Sequence, residues 1–459
     1  MTTNHREVWR LAGPLIISNI SIALLGLVDT AVVGHLDHPY YLGAIAVAAV
    51  VFDFLYWGMG FLRMGTTGIM AQIHGTGDTD EMRSTFIQVT ITALFISLII
   101  LVFRNHIIMC GLYLVGGSVE VKHFAKIYFN WAIWAAPAVL ITLSLFGWLL
   151  GMQNAKATLY ITVTINILNI FLDVLFVYGF DMDVRGVALA TVCSEYAGLC
   201  MACVMCIREI RNRPGRWRKE LIFDAVRLKR MININKDIFI RTICLIFVFA
   251  FFTRQGARQG EVILAANAIL MNFQTLMALA LDGFANAAEA LVGKSIGARN
   301  RYAFTRVVRT TTYWALLVAL GFALVYLSAG KALIGLMTDL QDVRLSTYQY
   351  LPWMVLSPLA SVWCFQLDGI FIGATRAREM RDMMLISTFM VFLPAWYIFR
   401  FLGNHGLWLA FMLFFIARAV TLVIAWGRIE NRKGFVPISG DKFQGTSEQV
   451  RPGPGRGNQ

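Results

Sequence analysis

The sequence predicts an all-α membrane protein of twelve transmembrane helices, divided into two halves of six. Three observations carry this. The chain is 58% hydrophobic and only 15% charged, against about 25% charged residues in a soluble domain. Its apolar segments run to the roughly 20 residues that cross a bilayer as a helix, rather than alternating over about ten as barrel strands do. Motifs from the first half recur in the second at a nearly constant offset, near 220 residues.

The predicted spans are 9–36, 41–73, 84–109, 121–151, 157–180 and 185–208, then 237–257, 261–293, 305–328, 345–374, 381–402 and 405–427. The first apolar run is far longer than a signal-peptide core and no small-residue cleavage site follows it, so it is expected to stay as a span. The expected organisation is a first lobe at 1–210, a basic linker at 211–235, a second lobe at 236–429 and a disordered tail at 430–459. The tail ends in Arg-Pro-Gly-Pro-Gly-Arg-Gly-Asn-Gln, which has too little apolar surface to fold.

The repeat rests on three matches. Gly43 to Gly77 aligns with Leu264 to Gly297, Gly151 with Gly373, and Gly186 with Gly406. An even number of spans per half gives both halves the same topology, as in two-lobed transporters that rock about a central cavity.

The net charge of +13 sits in bases that flank apolar spans, so no nucleic-acid partner is expected. With the N-terminus inside, 28 of the 40 Lys and Arg fall on the inner side and 9 in outer loops. That bias predicts both termini in the cytoplasm. The seven cysteines make no secreted disulfide set; Cys200, Cys203 and Cys206, three apart on one span, read as small packing residues. The seven histidines, at 5, 35, 38, 74, 106, 123 and 405, lie near span ends without metal-ligand spacing, and no enzymatic centre is expected.

Asp29 lies deep in the first apolar run. An acid there costs roughly 2.5–3.5 kcal/mol on insertion scales and needs a partner, a cavity or a proton. Asn166, Asn169 and Asp173 in span 5 are spaced i, i+3, i+7 and share one helix face. Thr191 and Glu195, i and i+4 in span 6, are near candidates; Thr191 could offer its hydroxyl to the same cluster. Interhelical hydrogen bonding, about 0.6 kcal/mol per pair, is the plain alternative for the amides. The repeat offset puts Val391 and Ala395 opposite Asn169 and Asp173, and Phe249-Ala250-Phe251 opposite Asp29. Folding needs common to both halves would keep acids in both, so the asymmetry points to a task in the first lobe. Carboxylates and amides in a low-dielectric pocket suit a shared proton or a desolvated Na⁺, for which Asp29 and Asp173 would be the ligands.

Other charges inside spans are Asp53, Arg63, Asp282, Glu289 and Asp368. Asp282 and Asp368 could meet a cationic substrate or pair with Arg63 or Arg254. Pro14, 15 residues before Asp29, marks a helix start or a kink; Pro137, Pro358 and Pro394 are expected kinks or hinges.

Five stretches together resemble the DinF branch of the multidrug and toxic compound extrusion (MATE) transporters. They are Gly26-Leu-Val-Asp29-Thr-Ala-Val-Val-Gly-His-Leu, Phe61-Leu-Arg-Met-Gly-Thr-Thr-Gly, Gly147-Trp-Leu-Leu-Gly-Met-Gln, Asn166-Ile-Leu-Asn169-Ile-Phe-Leu-Asp173 and Leu281-Asp-Gly-Phe-Ala. The resemblance spans about residues 8–428. It implies two six-helix lobes forming a V-shaped cleft, and export of cationic or amphipathic compounds in exchange for H⁺, the favoured ion, or Na⁺. It implies no cofactor, a monomer, and the bacterial inner membrane. It makes Asp29, Asn169, Asp173 and Thr191 the cation site and Pro14 a bending point of the first helix. The chain departs from some members in having Leu25 where they have Tyr, no clear Asn in span 4, and no acid in span 7 beyond Asp237 at its edge. A flippase for lipid-linked saccharides or phospholipid is the alternative. Its anionic headgroups would favour a basic cavity, whereas here the acids lie in the spans.

Overall fold

The computed structural model describes residues 5–34, 39–116, 118–432 and 434–436, with backbone alone for 23, 24, 27–34, 39 and 432. The Asp29 side chain, His35, His38 and the tail from 437 lie outside the described residues.

Within the described residues every predicted span falls on helix, and there is no strand among them. The first half comprises α1 (His5–Gly34), α2 (Pro39–Gly58), α3 (Phe61–Thr76), α4 (Thr79–Val115), α5 (Val119–Ala132), α6 (Ala136–Gly151), α7 (Ala155–Val174) and α8 (Asp183–Arg211). A short helix α9 (Lys219–Ile222) lies in the linker. The second half comprises α10 (Ala225–Ala257), α11 (Glu261–Gly297), α12 (Arg301–Met337), α13 (Gln341–Gly373), α14 (Ala377–Ile386), α15 (Leu393–Phe399) and α16 (Asn404–Arg432). Among the described residues ten segments, which take in every helix except α1, α9 and α10, are long and apolar enough to cross a membrane. α10 begins inside the expected linker, so its first turns carry Arg227, Lys229 and Arg230.

Helix starts are written in the sequence. Asp78 accepts from the backbone N–H of Asp80 (3.0 Å) and Glu81 (2.9 Å), opening α4 with two acids in its first turn. Asn154 caps α7, Asp224 caps α10 and Asn300 caps α12 in the same way. Prolines punctuate two spans. A 3₁₀ turn at Ile133–Ala135 precedes Pro137 at the start of α6. A π turn at Ser387–Phe392 precedes Pro394 at the start of α15. Each proline lacks the N–H that would continue the ladder. α13 instead runs through Pro352 and Pro358.

The repeat is visible in the backbone. Left-handed residues close matching turns: Gly77 and Arg299, Gln153 and Thr375, Asp183 and Gly403. After α6, Gln153 N–H donates to Leu150 O (2.8 Å) and Asn154 N–H to Leu149 O (2.9 Å). After α13, Thr375 N–H donates to Ile372 O (2.8 Å) and Arg376 N–H to Phe371 O (2.9 Å).

There are two apolar cores. One is built mainly from α2–α8, the other from α10–α16. α1 belongs to both halves. Its Val8, Leu11, Ala12 and Leu15 are buried in the second core, Trp9 meets Phe284 edge to face at 5.3 Å, and Asn19 Nδ2 donates to Leu279 O at 2.9 Å. Two residues on, Ser21 contacts α7 of the first half. Pro14 therefore sits just before the point where α1 passes from one lobe to the other. At the other end of the chain, Phe435 stacks on Phe304 (5.5 Å), so residues 434–436 pack on the second lobe.

The lobes meet where α3 and α11 end. A Cβ at Gly297 would lie 2.0 Å from Gln72 O, and one at Gly75 would lie 2.2 Å from Lys294 O. Only glycine lets the two backbones come this close. Gln72 Nε2 donates to Gly373 O (3.0 Å) and Lys294 Nζ to Gln153 Oε1 (3.0 Å) across the same seam. Gly297→Val should force the helices apart and cost about 1–3 kcal/mol of seam stability. The check is the thermal transition in detergent, with Gly321→Ala, whose added Cβ meets nothing within 4 Å, as the neutral control. An unchanged transition for Gly297→Val would refute the close approach.

Candidate functional site

In the first lobe the site is built on α7, which packs between α1 and α8. The i, i+3, i+7 face predicted from sequence is buried, with Asn166 6%, Asn169 3% and Asp173 1% exposed. Asn166 Nδ2 donates to Ser21 Oγ of α1 at 2.7 Å. With its amide turned to satisfy both neighbours, Asn169 Nδ2 donates to Asp173 Oδ2 (3.2 Å). Its Oδ1 accepts from the Thr191 N–H of α8, also at 3.2 Å. The structure thus brings Asn169, Asp173 and Thr191 together. Thr191 joins through its backbone; its hydroxyl proton goes to Val187 O at 3.0 Å, leaving the oxygen lone pairs to accept.

Asp29 enters by register. α1 and α7 are the first and fifth spans of an alternating series and run in the same direction. Ser21 faces Asn166. Eight residues further along each helix, about 12 Å of rise, lie residues 29 and 174. The α1 backbone is helical to Gly34, so residue 29 is level with Asp173. A π turn, Leu175–Gly179, begins two residues after Asp173. Such turns recur at functional positions, and sequence carries no plain sign of this one. Glu195, one turn beyond Thr191, is half-buried and close enough to act electrostatically on the buried Tyr56 hydroxyl of α2.

The second lobe holds a different assembly. Asp368 of α13 is clamped between two buried guanidiniums, Arg241 of α10 and Arg418 of α16; the Arg418 Nη2–Oδ2 distance is 2.5 Å. Arg418 also lies over the rings of Phe414 (5.4 Å) and Phe415 (5.9 Å). Asp282 of α11 is half-buried and near enough to interact with Arg63, Arg241 and Arg418. Arg63 reaches across from α3 to α11, donating to Asn286 Oδ1 at 3.0 Å and approaching Glu289 at 3.9 Å. Of the two pairings expected for Asp282 and Asp368, neither Arg63 nor Arg254 holds Asp368. Arg241 and Arg418 do, and neither is among the span charges singled out from the sequence. Their signal was present: each is a cation in an apolar segment, as costly there as Asp29. Asp237, at the edge of span 7, is bound to Arg381 at 2.6 Å. No cluster of three metal-ligating side chains occurs among the described residues.

A polar triad in one lobe, a charge cluster in the other and a helix shared between them describe a two-lobed membrane protein. Comparison with known proteins agrees. The MatE family model matches residues 14–175 and 238–398, once in each half. The DNA damage-inducible protein F of Escherichia coli K12 is 43% identical over 430 residues, 93% of each chain. Among solved structures, a mutant of the Vibrio cholerae MATE transporter VcmN superposes with a TM-score of 0.84 at 18% identity, covering 94% of this chain and 98% of that one. A multidrug resistance MATE family transporter in an outward-facing conformation gives 0.83 at 19% identity, over 93% and 95% of the two chains. The twelve-helix, two-lobed fold is theirs as well. This chain belongs to the MATE family, as a multi-pass transporter of its DinF branch.

Proposed function

We propose that the protein exports cationic or amphipathic compounds as an H⁺-coupled antiporter, with Asp29, Asn169, Asp173 and Thr191 as the coupling site. The observation that carries this is the burial of Asp173 beside Asn169 and α8, level with residue 29. A carboxylate there is held in its charged form only with compensation, and a proton supplies it. Na⁺ would use the same oxygens, with Asp29 and Asp173 as ligands.

Coupling needs the ion to prefer one conformation. α1 provides the link, because it packs on the second lobe as far as Leu15 and Asn19 and on α7 from Ser21. A change in charge at 29 and 173 alters how α1 sits on α7, and Pro14 lets its two parts move separately. The seam of α3 and α11 closes the side that carries the linker. With both termini in the cytoplasm of a bacterial inner-membrane protein, that is the inner side, and the cleft opens outward. The transporter acts as a monomer with lobes at 1–210 and 236–429. Arg63, Asp282, Glu289 and Asp368 set the charge of the second lobe, and Asn166 and Glu195 border the coupling site.

The test is efflux of a fluorescent lipophilic cation from proteoliposomes under an imposed gradient. A pH gradient alone, without Na⁺, should drive it. Transport driven by Na⁺ and not by pH would overturn H⁺ coupling while leaving the site in place.

A further inference from the structure

Where linker and lobes meet there is a cavity of about 710 Å³ on the same side as the seam. Its lining carries Lys229, Arg230 and Lys236 from α10 and Arg376, Arg378 and Arg381 from the turn into α14 and from α14 itself. Asp237 and Glu379 are the only acids in that lining, so six cations face two anions. The acids are already engaged: Asp237 with Arg381 at 2.6 Å, Glu379 with Arg376 at 3.5 Å. Arg230 is held by Gln72 Oε1 (3.1 Å) and Thr375 Oγ1 (3.3 Å). Lys229, Lys236 and Arg378 have no ion-pair or hydrogen-bond partner among the described residues. A cavity with this charge attracts an anion, and guanidinium and ammonium donors together suit phosphate.

Its depth and surroundings say which phosphate. The lining residues of α10 stop at Asp237, where the apolar stretch of that helix begins, so the cavity lies at headgroup level. Phe223 (71% exposed), Val226 (77%) and Ile232 (56%) stand uncovered beside it. Deeper along the same helix pair, exposed Phe247 and Phe389 stack across α10 and the π turn after α14 at 6.1 Å. A soluble phosphate has no use for that apolar flank; an acyl chain does. Basic pockets between spans at the inner membrane surface are suited to anionic headgroups.

We infer that this cavity binds the phosphate headgroup of an anionic phospholipid, with its chain along the α10–α14 groove. The inference does not depend on the coupling ion or on the transported compound.

The test uses the full-length protein purified in detergent and then offered phosphatidylglycerol, zwitterionic phosphatidylethanolamine or inorganic phosphate. Bound lipid is read by native mass spectrometry and the thermal transition in parallel. Phosphatidylglycerol should form adducts and raise the transition; the other two should not. The variant Lys229→Gln/Lys236→Gln/Arg378→Gln should lose roughly 100-fold in lipid affinity, from about a five-fold step for each of three charges near the surface. Lys156→Gln/Lys219→Gln/Arg309→Gln, three exposed bases on the same side but outside the cavity, should keep it. Equal loss in both variants would reduce the effect to general surface charge. Equal protection by inorganic phosphate would make this a soluble-anion site. Undiminished adducts in the cavity variant would place the lipid elsewhere. Any of the three overturns the inference.

Discussion

Asp173→Asn should reduce gradient-driven export by roughly 5–150-fold, the range that a coupling free energy of 1–3 kcal/mol spans. The substitution is nearly isosteric. The new amide oxygen can still accept from Asn169 Nδ2, which now donates to Asp173 Oδ2 at 3.2 Å. The residue is 1% exposed and its shape is conserved, so folding and membrane level should hold. What is lost is the ability to gain and lose a proton. Asp29→Asn should behave alike if residues 29 and 173 share one site, and the double variant should then be little worse than either single one, because groups that act as a unit are not additive. Drug resistance of cells, with membrane protein quantified alongside, measures this. Retained export in both single variants would remove the coupling role. Asn166→Ala gives the contrast: it breaks the 2.7 Å bond to Ser21, a packing link that titrates nothing, and should reduce export only partially.

What was legible in the sequence follows from what local pattern encodes. Span count was legible because hydropathy is a property of each segment, and the twelve stretches became helices with shifted ends. The repeat was legible because glycines and turn residues mark backbone geometry, and the left-handed turns at Gln153 and Thr375 show the same geometry in both halves. The α7 face was legible because 166, 169 and 173 are fixed by helical period alone. Partners were not. Asp368 and Arg418 are 50 residues apart and Asp368 and Arg241 are 127 apart. No period links them, so three separate charges in three apolar spans gave no sign of being one cluster. The passage of α1 from the second core to α7 was hidden for the same reason: it depends on which lobe covers which face. The Thr191 contact turned on a backbone N–H, which every residue but proline carries and no side-chain pattern can mark.

The clamp on Asp368 yields the other large effect. Asp368→Ala should destabilise the second lobe by about 3–5 kcal/mol, because it strands Arg241 and Arg418, 6% and 3% exposed, without their shared carboxylate. Arg418→Met should cost much less. It removes the second of two guanidiniums on one carboxylate and leaves the Arg241–Asp368 pair balanced, while a thioether can fill the space between Phe414 and Phe415. Stranded charge and lost bonds point the same way, since Asp368→Ala breaks two ion pairs and Arg418→Met one. A triple variant, Arg241→Met/Asp368→Leu/Arg418→Met, separates stability from function. Replacing a whole buried charge cluster by apolar groups of similar size is often neutral or stabilising, so the triple variant should melt at or above the temperature of the Asp368→Ala protein. Asp282 then decides the outcome for transport. It is half-buried and lies within the field of both arginines and of Arg63, so without the two its carboxylate keeps only Arg63 as compensation. If the cluster serves to hold that carboxylate charged for a cationic substrate, the triple variant is stable and does not export. Export at the wild-type rate from a stable triple variant would mean that the clamp is packing alone.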